Sequence, residues 1–218
     1  DNTEQDINFL NGELDVASLT SFCGSDNGYV VYWYDQSGGG NDLFQLTGSV
    51  QPQIVSSGAV LLENGKPCIV FDGVDDTMNM LTAVVVTAMS VSAVASPTLN
   101  TGIRPLIGTS LANQFTLAGS FGMGVAASSQ FDLFNPSTSA SQGLFIYHRN
   151  GLASPNQLKS AFRSGTQLTP GTSLLTNQTG TYTALAGASG ANRFGGKIQE
   201  VIIWNGYKAS RNSLIQSN

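Results

Sequence analysis

The sequence predicts an all-β fold, a two-sheet antiparallel jelly-roll sandwich with one short helix near the N-terminus, and three observations carry that expectation. Charged residues make up only 11% of the 218 residues while hydrophobic residues reach 41%, against roughly 25% charged in an average globular protein. Ser, Thr, Asn, Gln and 25 glycines take the place of the missing charge, whereas long helices favour Glu, Lys, Ala and Leu. Short apolar and β-branched runs recur along the chain, each closed by a turn signal, as in a sandwich or jelly roll. No linker, low-complexity tail or internal repeat breaks the pattern, so residues 1–218 are expected to form a single domain. A sandwich of this length buries a core without covalent staples.

The elements follow in order. Asp15–Phe22 (Asp-Val-Ala-Ser-Leu-Thr-Ser-Phe) reads as one short helix with Asp15 as its N-cap. Tyr29–Tyr34 (Tyr-Val-Val-Tyr-Trp-Tyr) is aromatic and β-branched throughout, which predicts a strand buried on both faces. Met89–Ser96 alternates, with Met89, Val91, Ala93 and Ala95 on one face and Ser90, Ser92 and Ser96 on the other. Further strands are expected at Pro67–Phe71, Pro105–Gly108, Gln114–Ala118, Gly143–His148, Thr181–Ala186 and Lys197–Trp204. Turn signals separate them at Asn64-Gly65, Asp72-Gly73, Asn150-Gly151 and Pro170-Gly171. Ala209–Gln216 reads as a short helix or an irregular tail, and Trp33 and Trp204 as core.

Charge excludes some functions. The net charge is −5, and nucleic-acid binding needs a basic footprint. Twelve of the 14 acids lie at or before Asp76 beside one base, Lys66, while two acids and eight bases follow. First and last strands that pair in one sandwich would neutralise each other; the other reading is head-to-tail attraction between subunits. Cys23 and Cys68 are compatible either with a disulfide or with two buried thiols. No stretch approaches the roughly 20 apolar residues of a membrane helix, so no membrane insertion is expected. The abrupt start at Asp1 reads as a processed or trimmed piece of a longer protein.

Three segments stand out. Trp33-Tyr34-Asp35-Gln36-Ser37-Gly38-Gly39-Gly40-Asn41-Asp42 runs from a strand into a glycine-rich turn in which Asp35 and Ser37 accept amide hydrogen bonds. Glu63-Asn64-Gly65-Lys66-Pro67 leads through Cys68–Phe71 into the acidic turn Asp72-Gly73-Val74-Asp75-Asp76. Gly196–Asn205 is a long β-branched strand. In this order the segments resemble the concanavalin A-like, laminin-G-type jelly-roll domains of bacteriophage tail fibres and bacterial surface proteins. Residues 1–70 are also similar to part of the catalytic domain of fungal α-L-arabinofuranosidase B. The resemblance implies a further strand before Asp1, a little more chain beyond Asn218, and a calcium ion held by carboxylates and backbone oxygens. Asp72, Asp75 and Asp76 are the candidates for that ion, since calcium takes six to eight oxygens; the alternative is an acidic, solvated turn.

Catalysis is not expected. Glycoside hydrolysis needs two carboxyls set across a cleft, and Asp35, Asp72, Asp75 and Asp76 all sit in turn-forming sequence, while Asp132 and Glu200 are the only later acids. Glu63 lies in a hairpin turn before a strand, so its Glu-Asn-Gly context reads as a coincidental match, and Glu200, inside the last strand, reads as a structural carboxylate. The single His148 has no paired ligand for zinc and no serine elbow. Gly119–Gly124 lacks the strand–helix context of a phosphate loop. Sugar recognition uses aromatic faces with loop carboxylates and amides, and Asp35, Asn41, Asp42, Tyr147 and His148 are the candidate residues. The function expected is a non-catalytic module on a virion or cell surface, a bacteriophage fibre or decoration protein that binds host-surface glycans. It would sit on a virion or outside the cell and pack against other virion subunits or copies of itself. The alternatives are a purely structural virion protein and a secreted glycosidase or its accessory domain.

Overall fold

A computed structural model describes residues 3–98, 104–110, 113–117, 123–127, 130–135, 141–153, 155–173, 178–187 and 193–211. Two antiparallel nine-stranded sheets enclose a shared core. The first runs Thr166–Gln167, Lys159–Arg163, Gly143–Arg149, Met89–Pro97, Gly195–Asn205, Ile69–Asp72, Gln53–Ser56 and Gly28–Tyr29, with Ala59–Val60 paired onto Gln53–Ser56. The second runs Thr169–Ser173, Gln130–Asn135, Met123–Ala127, Asn113–Thr116, Pro105–Ser110, Gly180–Leu185, Met78–Val86, Leu43–Phe44 and Tyr32–Trp33. The expected all-β sandwich is what forms.

Period-2 patterning sets the centre of the first sheet. Met89–Pro97 pairs on one side with Gly143–Arg149 and on the other with Gly195–Asn205, placing Ala93 opposite both Phe145 and Val201. Met89, Val91, Ala93 and Ala95 point into the sandwich and are at most 1% exposed. They meet Met78, Leu106, Phe115, Phe134, Tyr182 and Leu185 from the second sheet. Burying the larger of these side chains, such as Met89, Val91 and Phe115, contributes about 1.5–3 kcal/mol each. Ser90 and Ser92 lie on the opposite face, as the alternation predicts, yet both are also buried. The Ser90 hydroxyl donates to the Gly206 carbonyl and accepts the Lys208 amide at 2.9 Å, so the chain after the last strand folds over it.

The last strand departs from simple alternation. A bulge at Gln199, where Val94 pairs with Glu200 and Ala95 with Ile198, flips the parity. Ile198 is fully buried before the bulge, whereas Val201 and Ile203 pack on the core after it. Ile202 and Trp204 therefore lie half-buried on the outer face, and Trp204 is not the core residue expected; Trp33 does pack against the core.

The helix forms over Val16–Cys23 with Asp15 as N-cap, its carboxylate accepting from the Ser18 amide at 3.1 Å and the Ser18 hydroxyl at 2.6 Å. Gly24, at φ 57°, closes it by donating to the Thr20 carbonyl. Tyr29–Tyr34 is not one buried strand. Gly28–Tyr29 belongs to the first sheet and Tyr32–Trp33 to the second. Val30 donates to the Pro52 carbonyl on one side of the crossing and Val31 accepts from Gln45 on the other. Each half is an edge strand, so Tyr29, Tyr32 and Tyr34 stand 44–49% exposed.

Other expectations shift at their boundaries. Pro67–Phe71 divides at Cys68 into Lys66–Pro67, paired with Leu62–Glu63, and Ile69–Asp72. Asn64 and Gly65, both at positive φ, make the expected hairpin turn. Pro170-Gly171, expected as a turn, lies within a strand. Ala209–Arg211 is a short 3₁₀ turn, and the rest of the expected Ala209–Gln216 helix lies outside the described residues. Both cysteines are free thiols. No helix among the described residues is long and apolar enough to cross a membrane.

Candidate functional site

Asp35, Asn41 and Asp42 come together in one loop, and they build it. The Asp35 carboxylate accepts the Ser37 amide at 2.8 Å, the Asn41 amide at 3.0 Å and the Asn41 side-chain amide at 3.3 Å. Asp42 accepts the Asp35 amide at 2.8 Å. The Ser37 hydrogen bonds and the Asn41 amide hold the Asp35 carboxyl down at about 2. The loop exposes Asn41, while Asp35 is bound up in closing it.

Tyr147 and His148 are not exposed to any ligand. Both are fully buried on opposite faces of the Gly143–Arg149 strand. Tyr147 lies between the sheets with its ring edge-on to Phe134 at 5.8 Å. His148 lies on the outer face under Tyr207 at 6.2 Å and beside Phe162 at 6.3 Å, with Nδ1 2.8 Å from the Ser90 hydroxyl. A strand central to a sheet with its outer face covered buries both alternations, which the short sequence context does not announce.

Asp72, Asp75 and Asp76 do converge. One carboxylate oxygen from each lies within 4.8 Å of the others. Asp72 Oδ1 accepts the amides of Val74, Asp75 and Asp76, and Asp76 Oδ2 accepts the Asp72 amide. Asp76 is 8% exposed, and burial, with the neighbouring Asp72 and Asp75 charges adding to it, pushes its carboxyl up to about 6. The donor set is all oxygen, as a hard cation requires. Glu63, by contrast, is held by Lys197 at 2.7 Å, and that hydrogen bond lowers its carboxyl below the ordinary range.

A larger concavity lies elsewhere among the described residues. A cleft of about 1000 Å³ lies between the N-terminal segment and helix on one side and the edge strands with Gln199 and Glu200 on the other. Tyr32 and Tyr34 line it as a parallel pair, ring centroids 5.9 Å apart and 7° between planes. Their i, i+2 spacing puts both rings on one face of a strand, and Phe44 on the neighbouring strand supports Tyr32 at 6.3 Å. The Tyr34 hydroxyl donates to Asp6 Oδ1 at 2.9 Å, pinning the N-terminal segment across the cleft. That bond, with burial and the Asp6 charge behind it, pushes the Tyr34 phenol above its ordinary range. Tyr29, Phe9 and Phe22 add further exposed aromatic surface. Sequence reasoning missed Tyr29 and Tyr32 because it buried the whole Tyr29–Tyr34 run. The alternation of Tyr32 and Tyr34 around Trp33 was the available signal.

No protein-family model and no curated protein matches the chain. Solved structures do. Domain 4 of AbnA, a GH43 extracellular arabinanase from Geobacillus stearothermophilus in complex with arabinotriose, aligns over 88% of this chain and 98% of that one, with TM-score 0.52 and 16% identity. A GH54 α-L-arabinofuranosidase soaked with 4-nitrophenyl α-L-arabinofuranoside aligns over 94% of this chain and 53% of that one, with TM-score 0.59 and 14% identity. At such identity the likeness is one of fold: this chain shares its β-sandwich with domains of carbohydrate-active enzymes.

Proposed function

We infer that the chain is a non-catalytic carbohydrate-binding module that works outside the cell, on a cell or virion surface, and engages glycans through the cleft edged by Tyr32 and Tyr34. The observation that carries this reading is the exposed, parallel tyrosine pair lining a cleft of about 1000 Å³. Sugar rings present flat faces of C–H groups, and preordered aromatic rings receive them with little conformational cost. Arabinotriose bound to one fold neighbour and an arabinofuranoside soaked into another support a glycan as the ligand. In this reading Asp72, Asp75 and Asp76 hold a calcium ion that stiffens an acidic turn away from the sugar.

The test is retention on immobilised arabino-oligosaccharides and a wider glycan array. Binding is expected for the intact chain, with Tyr32→Ala and Tyr34→Ala each weakening it about tenfold, the scale of one aromatic stacking contact. Absence of retention on any glycan overturns the reading. Carboxylates in the cleft, Asp6 and Glu200 among them, motivate a second assay with an aryl arabinofuranoside. Turnover abolished in Asp6→Asn or Glu200→Gln would make the chain a glycosidase.

A further inference from the structure

The same cleft has a charge, and resting on the carbohydrate reading, we propose that its ligand is a positively charged glycan, a polymer of amino sugars with free amines. Glu4, Asp6, Glu13, Asp26 and Glu200 line the cleft, against one base, Lys66. Lys66 is already engaged with Glu13 at 2.6 Å. Among the described residues no Lys or Arg pairs with Glu4, Asp6, Asp26 or Glu200. One of these charges is fixed at the stacking platform: Asp6 accepts the Tyr34 hydroxyl at 2.9 Å, and Glu4 lies two residues before it on the same exposed segment.

An anionic glycan such as a uronate polymer meets like charge along the whole cleft, which opposes binding. A neutral glycan gains the tyrosine faces but leaves the carboxylates uncompensated. An amino-sugar chain uses both features. Its ring faces stack on Tyr32 and Tyr34, and its ammonium groups reach carboxylates and the negative faces of the tyrosine rings. The focused negative potential of a concave, low-dielectric site also draws a cationic ligand in. The occupant follows from charge complementarity together with the aromatic pair.

The experiment compares four tetrasaccharides by titration calorimetry with the whole chain at mildly acidic pH, where glucosamine amines are protonated: glucosamine, its N-acetylated twin, arabinose and galacturonate. The glucosamine tetramer is expected to bind at least tenfold tighter than its neutral twin, with affinity falling as salt rises, and the galacturonate tetramer not to bind. Asp6→Asn combined with Glu4→Gln should collapse the ratio of glucosamine-tetramer to N-acetylated-tetramer affinity towards one. Tyr32→Ala should weaken the charged and neutral sugars alike. Equal affinity for charged and neutral tetramers overturns the charge inference and leaves the carbohydrate reading standing. Failure of all four overturns the charge inference, and only the further absence of retention on the wider glycan array overturns the carbohydrate reading as well. Tetralysine binding as tightly as the glucosamine tetramer reduces the effect to unspecific attraction and overturns it. So does a dimer in sedimentation that buries Tyr32, because a second copy then fills the cleft.

Discussion

At the residue scale, three side chains or their absence can be tested directly. The parity flip at Gln199 makes Ile198 a fully buried residue of the last strand and leaves Ile202 half-buried on the outer face. Ile198→Ala is expected to cost about 2–5 kcal/mol in urea unfolding, as large core truncations do, and Ile202→Ala clearly less. Gly196 sits at φ +138°, and a Cβ there would lie 2.3 Å from the Ser96 carbonyl oxygen. Both the dihedral and the backbone clash resist a side chain, so Gly196→Ala should lose about 1–3 kcal/mol or more. Asp35 supplies a pH signature. Its folded carboxyl titrates at about 2, below the roughly 3.9 of an unfolded chain. The folded state therefore binds fewer protons in that interval, and stability rises with pH across it. The Asp35 contribution is fully present above pH ~4 and is lost as pH falls towards ~2. Acid titrations of the intact chain and Asp35→Asn should differ in slope in that window and run parallel above it.

At the element scale, the acidic turn after Ile69–Asp72 makes its own prediction. If Asp72, Asp75 and Asp76 share a calcium ion, millimolar calcium should raise the melting temperature and chelator should lower it, by mass action on the folded state. Asp75→Asn, which removes one donor without touching the amides gathered by Asp72, should shrink the shift; an unchanged melting temperature in both conditions makes the cluster a solvated turn. The elements also divide cleanly by how legible they were. Met89–Pro97, Gly143–Arg149 and Gly195–Asn205 are long, central strands whose runs exceed their turns, so composition and alternation are enough to find them. The helix was readable from Asp15 because a cap is a local event. Tyr29–Tyr34 misled because its residues suit burial, while its position at two sheet edges is decided by partners far away in sequence. The candidate site shared that fate: the loop carboxylates were visible as turn chemistry, but the cleft is assembled from the N-terminal segment, two edges and a bulge.

At the scale of the whole molecule, the uneven charge of the sequence is not cancelled by pairing alone. Lys197–Glu63 joins the acidic first part to the basic remainder, yet the acids of the cleft face solvent. The polarity is thus a property of the folded surface, and it gives the cleft its sign. The thiols report on the same whole. Cys68 is 2% exposed and Cys23 half-buried, and burial pushes both above the usual thiol range. A thiol-reactive dye should label Cys23 slowly in the folded chain and Cys68 only at the rate of global opening. Simultaneous fast labelling of both would mean that the layers separate near the cleft in the native state.

The crossing of Tyr29–Tyr34 between layers has a mechanical consequence. A pull on a ligand seated, as proposed, on Tyr32 and Tyr34 would enter the molecule through Tyr32–Trp33, a strand two residues long whose ladder partner is Leu43–Phe44. That short pairing peels one rung at a time, whereas the ladder between Met89–Pro97 and Gly195–Asn205 must shear many rungs together. If the proposed ligand does bind there, tension is expected to loosen this short pairing before the long central ladder, so that the ligand is released with the fold intact.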